Sequence, residues 1–164
     1  MIVKTFTTTA GKVFSRDLLR QQTEIWRSQG LTVVMTNGCF DLLHAGHIAT
    51  LETARSMGNV LIVAVNSDAS VKRLKGNDRP LNNENDRARV LAALSCIDAV
   101  TVFEEETAVN LLETFRPDVY VKGGDYNAEN LPERGIVERY GGRVEFCQLL
   151  KGHSTTSLID ACRK

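Results

Sequence analysis

The feature that most constrains the fold is a run of six consecutive apolar residues, 60–65, in which β-branched side chains predominate. A strand that faces water on one side alternates apolar and polar residues, whereas a strand covered on both faces of a parallel sheet is continuously apolar. The run is far shorter than the roughly 20 residues that a membrane-spanning helix needs. Because parallel strands require long crossover connections, which are usually helices, the run predicts an α/β fold.

Segments of strand and helix character alternate on both sides of this run. The predicted strands cover residues 31–36, 60–65, 99–103, 119–122 and 144–147. The predicted helices cover residues 15–29, 46–57, 67–76, 84–95, 107–115 and 131–140, and a last one follows residue 154. Such alternation predicts a Rossmann-like three-layer α/β sandwich with a five-stranded parallel sheet covered on both faces. We expect one domain over residues 1–164, with residues 1–10 as a loose arm.

The charge balance and the apolar content of the chain limit the kinds of partner that it can bind. The chain has 164 residues, with 20 Lys plus Arg against 20 Asp plus Glu, so its formal net charge is zero. This balance argues against a nucleic-acid-binding surface over the whole domain. Residues 1–10 have no apolar signal-peptide core, and no apolar run could cross a membrane, so we expect a cytoplasmic protein with no membrane partner. The four cysteines form no C-x-x-C pair, and we expect free thiols.

Four loops follow predicted strands at the edge where such sheets bind ligands. They cover residues 37–46, 66–70, 123–127 and 148–154, and all are rich in Gly, His, Lys or hydroxyl residues. In open α/β sheets, ligands bind beyond the carboxyl ends of the strands, where the strand order reverses. Fold and composition therefore predict the same place for a site.

The segment 36–47, TNGCFDLLHAGH, joins the first strand to the next helix. A glycine-bearing turn at a helix N-terminus points backbone N–H groups at an anion such as phosphate. His44 and His47 lie three residues apart, so they share one face of the first helical turn. Gly46 between them has no side chain to block close approach. Imidazoles placed there can donate hydrogen bonds to phosphate oxygens and stabilise charge in a transition state.

Two further interpretations of the histidines stay open. His44 and His47 could form half of a metal site with Cys39 or Asp41, since His and Cys are good zinc ligands, or they could be purely structural. The segment lacks the second glycine of the dinucleotide fingerprint and the Gly-Lys-Ser/Thr of the P-loop, so neither of those motifs applies.

Basic residues cluster after the second strand. Lys72, Arg73, Lys75 and Arg79 form a cationic patch close to the predicted site, and Lys75 is the best single candidate for a phosphate contact. The alternative is a solvated helix face. Arg87 or Arg89, on the following helix, could hold an acceptor phosphate with bidentate geometry.

The last two loops add polar groups. Gly123, Gly124 and Asp125 follow a strand, where the backbone can approach a base or ribose while Asp125 accepts hydroxyl hydrogen bonds; the alternative is a tight turn with a solvated Asp. Residues 154–156, Ser-Thr-Thr, begin the last helix and suit phosphate. They could equally be an ordinary helix N-cap.

The segment 36–47, with its H-x-G-H core, resembles the signature of the nucleotidyltransferase superfamily, which includes cytidylyltransferases and several adenylyltransferases. Five further segments recur in order and spacing, and from residue 11 onward the chain is similar to the D-glycero-β-D-manno-heptose 1-phosphate adenylyltransferases. Arg87 is preferred over Arg89 on this resemblance, because related enzymes carry an acidic residue before the Arg, as in Asp86-Arg87. The five segments are residues 63–68, 73–76, 79–80, 121–126 and 154–156.

The resemblance implies transfer of AMP from ATP to the heptose 1-phosphate. We expect Mg²⁺ to accompany ATP, held mainly by phosphate oxygens and water, and we assign no residue as a metal ligand. The resemblance also implies a homodimer, a separate sugar kinase that supplies the 1-phosphate, and a role in lipopolysaccharide biosynthesis. The catalytic candidates are His44, His47 and Lys75. The nucleotide-binding candidates are Thr36, Asn37, Gly38, Cys39, Phe40, Gly46, Gly123, Asp125, Ser154, Thr155 and Thr156. The substrate-binding candidates are Asp41, Asn66, Arg79, Arg87 and Lys122.

One departure from the family pattern affects the choice of nucleotide. Relatives that transfer cytidylyl groups often have an Arg where this chain has Leu149, with Lys151 nearby as a partial substitute. Leu149 therefore weakens the case for a cytidylyltransferase. Two more possibilities stay open: a different phosphorylated acceptor, such as glycerol 3-phosphate, and a non-catalytic nucleotide-binding module. The presence of both His44 and His47 argues against the non-catalytic module.

Overall fold

The computed structural model of the chain describes residues 8–124, 131–148, 150 and 152–162. Within these ranges, five strands alternate with seven α-helices. The strands are β1 (Val33–Gly38), β2 (Val60–Asn66), β3 (Ala99–Phe103), β4 (Val119–Gly123) and β5 (Arg143–Cys147). The helices are α1 (Arg16–Ser28), α2 (Ala45–Ser56), α3 (Asp68–Lys75), α4 (Glu84–Ala92), α5 (Val109–Phe115), α6 (Arg134–Arg139) and α7 (Thr155–Cys162).

The five strands form one parallel sheet in the order β3-β2-β1-β4-β5. The register runs from Val33 opposite Val60 to Gly38 opposite Val65 between β1 and β2, and β4 pairs with the other side of β1. From β1 the chain winds towards one edge of the sheet, and from β4 it winds towards the other. The order therefore reverses between β1 and β4, and the predicted Rossmann-like α/β fold is confirmed.

Strand β2 explains the apolar run, because all seven of its residues are buried. Ile62 and Ala64 belong to one hydrophobic cluster, while Leu61, Val63 and Val65 belong to another. Since successive side chains of a strand point to opposite faces, the two clusters are the two interfaces between the sheet and its helical layers. A strand in this position cannot alternate polar with apolar residues.

Three helices begin at the caps that the sequence predicts. The side chains of Ser15, Ser67 and Asn83 accept hydrogen bonds from backbone N–H groups in the first turns of α1, α3 and α4. The predicted ends of α4 and the predicted starts of α5 and α6 are off by two or three residues. After Ala92, the bonds become i to i+3, and the chain turns so that Asp98 can accept from Leu61 N at 2.8 Å. This tertiary contact shortens α4.

Residues 1–7 of the predicted arm lie outside the described residues. Thr9–Lys12 form a 3₁₀ turn, and Lys12 Nζ donates to the carbonyl oxygens of Leu94 and Ile97 at 3.2 and 2.8 Å. Val13 then bridges to Val100. These contacts attach the chain before α1 to the β3 side of the sheet.

All four cysteines lie in the described part of the chain, and they are free, as expected. Cys147 is buried, Cys162 is exposed, and Cys39 and Cys96 are partly buried. No helix within the described ranges is long and apolar enough to span a membrane.

Candidate functional site

The candidate site lies at the carboxyl ends of β1 and β4, where the strand order reverses. The chain leaves β1 at Gly38 and reaches the N-terminus of α2 at Ala45. The N-terminus of α7 comes to the same place, because Thr155 Oγ1 donates to Leu42 O at 3.2 Å. Two helix N-termini, each favourable for anions, therefore meet beside the turn after β1.

The turn after β1 is tightly folded. Phe40 has a φ of 47°, in the left-handed region that a bulky residue rarely adopts. Its ring lies so close to Gly38 that a Cβ there would be 3.0 Å from a ring carbon. A side chain at position 38 would therefore have to displace the Phe40 ring. Such backbone strain persists only where surrounding contacts hold it.

His44 is the N-cap of α2, and its Nδ1 accepts from His47 N at 3.4 Å. Because Nδ1 is the acceptor, the neutral ring carries its proton on Nε2 and can donate there. The rings of His44 and His47 stack with centroids 3.9 Å apart at 25°, and the Phe40 ring lies 5.5 Å from that of His47. The side-chain cap and the stack fix both imidazoles at the start of the helix.

Both imidazoles are neutral at pH 7. Burial, together with a smaller contribution from the neighbouring His44, lowers the pKa of His47 to about 4. Burial also lowers the pKa of His44, with a smaller contribution from His153. His47 Nδ1 is buried and has no hydrogen-bond partner within the described residues. The pair can therefore offer N–H donors to a ligand rather than full positive charges.

His153, which the sequence motifs did not single out, joins this group. Its ring is 6.0 Å from that of His44, at 27°. A Cβ at Gly46 would lie 3.0 Å from the His44 ring and 3.1 Å from His153 Cβ, so this glycine makes room for the packing of the imidazoles. The chain has three histidines, all of them in loops or helix starts at the carboxyl ends of strands, and that signal could have identified His153.

Asp41 and Arg79, both predicted to bind substrate, bind each other. Arg79 Nε donates to Asp41 Oδ2 at 2.5 Å, and the backbone N–H groups of Leu81 and Asn82 donate to Asp41 Oδ1 at 2.7 and 3.1 Å. Burial alone would raise the pKa of Asp41, but these hydrogen bonds outweigh it and leave the pKa below its usual value. The Asp41 carboxylate faces these donors, and the hydrogen bonds hold the end of the turn.

Arg87, a third predicted substrate ligand, is also held inside the fold, with only 2% of its surface exposed. Its guanidinium donates to Asn82 O at 2.9 Å, to Cys39 O at 2.5 Å and to Asp68 Oδ1 at 2.7 Å. It therefore links α3 and α4 to the strained turn. We call Asp41, Asp68, Arg79 and Arg87 together the brace. Direct contact of its members with substrate stays a prediction.

The lysines of α3 differ from the brace. Lys72 and Lys75 are exposed, and neither ammonium group has a hydrogen bond or ion pair within the described part of the chain. Arg73, between them, donates to Glu104 O. Burial raises the pKa of the Cys39 thiol, and of the groups that oppose this effect Lys75 is the strongest. Lys75 is thus a free ammonium within electrostatic reach of the turn, as its predicted role requires.

The remaining predicted residues fall into two groups. Asn37 accepts hydrogen bonds from Tyr120 and Lys122, and Asn66 Nδ2 donates to Ser70 Oγ at 3.0 Å. Ser154 Oγ accepts from Ser157 N at 3.3 Å, so it has the geometry of an N-cap. Of the other candidates, Thr36 is buried in β1, Gly123 ends β4 and Thr156 is exposed on α7. Asp125, Leu149 and Lys151 lie outside the described residues.

The described residues offer few side chains that could together hold a metal ion. No group of three His, Cys, Asp or Glu side chains there is arranged to hold a metal. The carboxylates nearest to the turn, Asp41 and Asp68, are paired with Arg79 and Arg87. The described residues therefore do not fit a protein-held Mg²⁺.

The comparisons with known proteins agree with this geometry. Residues 35–156 match the family model described as cytidylyltransferase-like. The chain is 54% identical over 149 residues to the bifunctional protein HldE of Syntrophotalea carbinolica, and 52% identical over 153 residues to that of Geobacter sulfurreducens. These matches cover 91% and 93% of the chain but 30% and 31% of the relatives, so the chain spans less than a third of their length.

The chain is also similar to solved structures. A lipopolysaccharide core biosynthesis protein from Thermoplasma volcanium superposes with a TM-score of 0.62 at 27% identity, covering 76% of this chain and 100% of that one. A pantoate–β-alanine ligase from Francisella tularensis, solved with a form of ATP and with β-alanine, superposes with a TM-score of 0.56 and covers 92% of this chain and 76% of its own. At 14% identity, the second structure shows the shared fold alone.

Proposed function

The chain belongs to the cytidylyltransferase-like family, as the motif at residues 36–47 predicts, and from this premise we propose that it transfers AMP from ATP to D-glycero-β-D-manno-heptose 1-phosphate. The products are ADP-heptose and pyrophosphate. The adenylyl donor and the heptose acceptor are supported by the identity of about half with the HldE proteins and by the likeness to a lipopolysaccharide core biosynthesis protein.

The observation that carries the proposal is the meeting of separate motifs at the point where the sheet reverses. His44 and His47 lie at the N-terminus of α2, and Thr155 ties the N-terminus of α7 to the same turn. Donors from two helix N-termini and from neutral imidazoles suit a polyphosphate, whose negative charge is spread over many oxygens. Such a site can hold a triphosphate and an acceptor phosphate side by side.

The reaction is a direct displacement. An oxygen of the sugar phosphate attacks the α-phosphorus of ATP, the bond from that phosphorus to the bridging oxygen of the β-phosphate breaks, and pyrophosphate leaves with the electron pair. The attacking phosphate is already an anion, so no protein nucleophile is needed. The protein therefore contributes by positioning the two substrates and by stabilising the negative charge of the transition state.

The residues divide this work. His44 donates from Nε2 to a phosphate oxygen, since its Nδ1 is engaged by the helix cap. His47, stacked on it, presents its own N–H to the same polyphosphate. Lys75 supplies the full positive charge that the neutral imidazoles lack. Mg²⁺ bound to ATP would supply further charge neutralisation, and the carboxylates of Asp41 and Asp68 would be poor ligands for it because both are paired within the brace.

The acceptor must be phosphorylated before it reaches this site. We therefore propose that a sugar kinase supplies the 1-phosphate. The relatives are named bifunctional, and this chain matches less than a third of each. A homodimer of the chain is part of the same proposal and is tested by light scattering.

The test is pyrophosphate release from a panel of ATP, CTP, GTP and UTP, each with the heptose 1-phosphate, glucose 1-phosphate and glycerol 3-phosphate. We expect the fastest release with ATP and the heptose phosphate. The His47→Gln variant controls for a contaminating transferase and should lose most of the signal. Fastest release with CTP or with glycerol 3-phosphate would replace the proposed substrates, and ATP binding without release would indicate a non-catalytic module.

A further inference from the structure

Asn37, the second-last residue of β1, has a side-chain oxygen that accepts two hydrogen bonds. Its Oδ1 accepts from Tyr120 OH at 2.6 Å and from Lys122 Nζ at 3.0 Å. Tyr120 is fully buried, and both donors lie on β4, the strand next to β1 at the reversal of the sheet. Two donors from one strand therefore converge on one oxygen of its neighbour.

This convergence decides which way the amide faces. An ammonium group can only donate, so the atom of Asn37 that faces Lys122 must be the oxygen and not the nitrogen. The two lone pairs of that oxygen are then occupied by Lys122 and Tyr120. The Nδ2 group must point the other way, and it has no hydrogen-bond partner within the ranges described. A half-buried donor is thus left at the carboxyl end of β1, beside the turn that leads to the histidines.

Lys122, one of the two donors to Asn37 Oδ1, is a charged side chain whose burial costs free energy. Lys122 is 9% exposed, and its Nζ lies 3.6 Å from Glu133 Oε1 and 5.3 Å from the centre of the Tyr120 ring. Glu133 is 4% exposed and also accepts from Ala108 N at 3.4 Å. A buried ion pair is seldom a net gain in stability over apolar residues, so stability alone does not account for this pair. What this pair holds at the edge of the site is Asn37.

We propose that Asn37 donates from Nδ2 to a phosphate oxygen of the bound substrates, with Tyr120 and Lys122 as positioning residues that keep the amide in this orientation. The inference rests on the proposed function and adds the atom, the ligand chemistry and the supporting residues. It also changes the role of Lys122, which was predicted to bind substrate and which acts here through Asn37. The phosphate belongs either to the nucleotide or to the sugar, and binding experiments can separate these sources.

The first variant is Asn37→Asp. Aspartate keeps an oxygen for Tyr120 and Lys122, so the strand end stays intact, but it replaces the outward donor by an acceptor. Affinity for the phosphate ligand should fall roughly 10- to 100-fold, as expected for a lost hydrogen bond to a charged group. Asn83→Asp, at the N-cap of α4, is the matched control for the added charge, because Asn83 is exposed and aspartate keeps the oxygen that accepts from Asp86 N.

The second variant is Tyr120→Phe, which frees the amide without touching Asn37. Affinity should fall about 3- to 10-fold through a rise in KM, with kcat changed less. Tyr140→Phe is the matched control, since Tyr140 OH is buried without a hydrogen-bond partner in the described structure. A merely structural role for Tyr120 would lower the free energy of unfolding without separating KM from kcat.

Calorimetric titrations with ATP, pyrophosphate, adenosine and the heptose 1-phosphate identify the ligand. Weaker binding of ATP and pyrophosphate by Asn37→Asp, beyond that of Asn83→Asp, supports a contact with the nucleotide phosphates, and weaker binding of the heptose phosphate alone supports the acceptor. Equal affinities for Asn37→Asp and Asn83→Asp would overturn the inference, as would a loss confined to adenosine. Wild-type turnover with the heptose phosphate tests the proposed function separately, so each can fail without the other.

Discussion

Two sets of side chains surround the turn after β1, and they use their polar atoms differently. In the brace, the carboxylates of Asp41 and Asp68 are paired with Arg79 and Arg87 at 2.5 and 2.7 Å. In the second set, which we call the rim, His44, His47 and Lys75 form no ion pair within the described residues. The brace holds the strained backbone in place, while the rim has donors left over for a ligand.

The difference teaches that positive charge near a phosphate loop has two separate uses. Arg87 and Lys75 are only twelve positions apart, and both carry a permanent or near-permanent charge. Arg87 is buried and saturated, whereas Lys75 is exposed and unpaired within the part of the chain that the structure describes. Variants of the brace should therefore lower stability and activity together, and variants of the rim should lower activity alone.

Arg87→Met should have the largest effect. It leaves the carbonyl of Cys39 and the carboxylate of Asp68 without the donors of a buried guanidinium, so we expect the free energy of unfolding to fall by about 3 kcal/mol. Urea denaturation measures this. Arg89→Met, on the exposed face of the same helix, is the control and should change stability by less than about 0.5 kcal/mol. If the Arg87→Met protein were as stable as wild type but inactive, Arg87 would act on the ligand, like the residues of the rim, and would not stabilise the turn.

His44 variants separate capping from catalysis. His44→Ala removes both the cap of α2 and the imidazole, whereas His44→Asn keeps a good capping oxygen. Both should lower kcat roughly 10²- to 10³-fold, the usual cost of losing one oxyanion donor. Only His44→Ala should also lose about 1 kcal/mol of stability. Near-normal turnover by His44→Asn would show that the residue serves the helix and not the reaction.

Acid should weaken the fold through His47. Because burial lowers the pKa of His47 to about 4, the unfolded chain binds this proton more readily than the folded one between pH 6.5 and pH 4. The free energy of unfolding should therefore fall as the pH falls through that window, by about 2 kcal/mol from this residue. His47→Gln, measured by urea denaturation at pH 7 and pH 4.5, should lack that part of the decrease. An equal decrease in both proteins would contradict the buried, neutral imidazole.

Lys75→Met should have the smallest effect. It removes one exposed charge, so we expect kcat/KM for ATP to fall about tenfold while the melting temperature stays unchanged. Lys72→Met, on the same helix, removes the same charge without reaching Cys39, and it should stay within about twofold of wild type. Equal losses in the two variants would mean that the patch acts only by general attraction of anions.

Much of the fold was predictable because its signals are local. The continuous apolar run of β2 follows from burial on two faces, and the caps Ser15, Ser67 and Asn83 act within one helical turn. The end of α4 was missed because it depends on a contact between Asp98 and Leu61, 37 positions apart.

The site was only partly predictable for the same reason. The positions of His44 and His47 follow from the motif, since both lie in the first turn of one helix. The burial of Arg87 against Cys39, and the orientation of Asn37 by Tyr120, depend on strands and helices that are distant in sequence. Residue type alone cannot show whether a cation is free or already paired, and this is why brace and rim look alike in the sequence.

The most direct test follows the phosphorus atoms of ATP. The protein is incubated with the heptose 1-phosphate and with ATP carrying ³²P at either the α or the γ position, and the products are separated. We expect the α label in a nucleotide sugar that forms only with the sugar phosphate present, the γ label in pyrophosphate, and no label on the protein. A γ label on the sugar, or an α label that never leaves free adenine nucleotides, would contradict nucleotidyl transfer at this site.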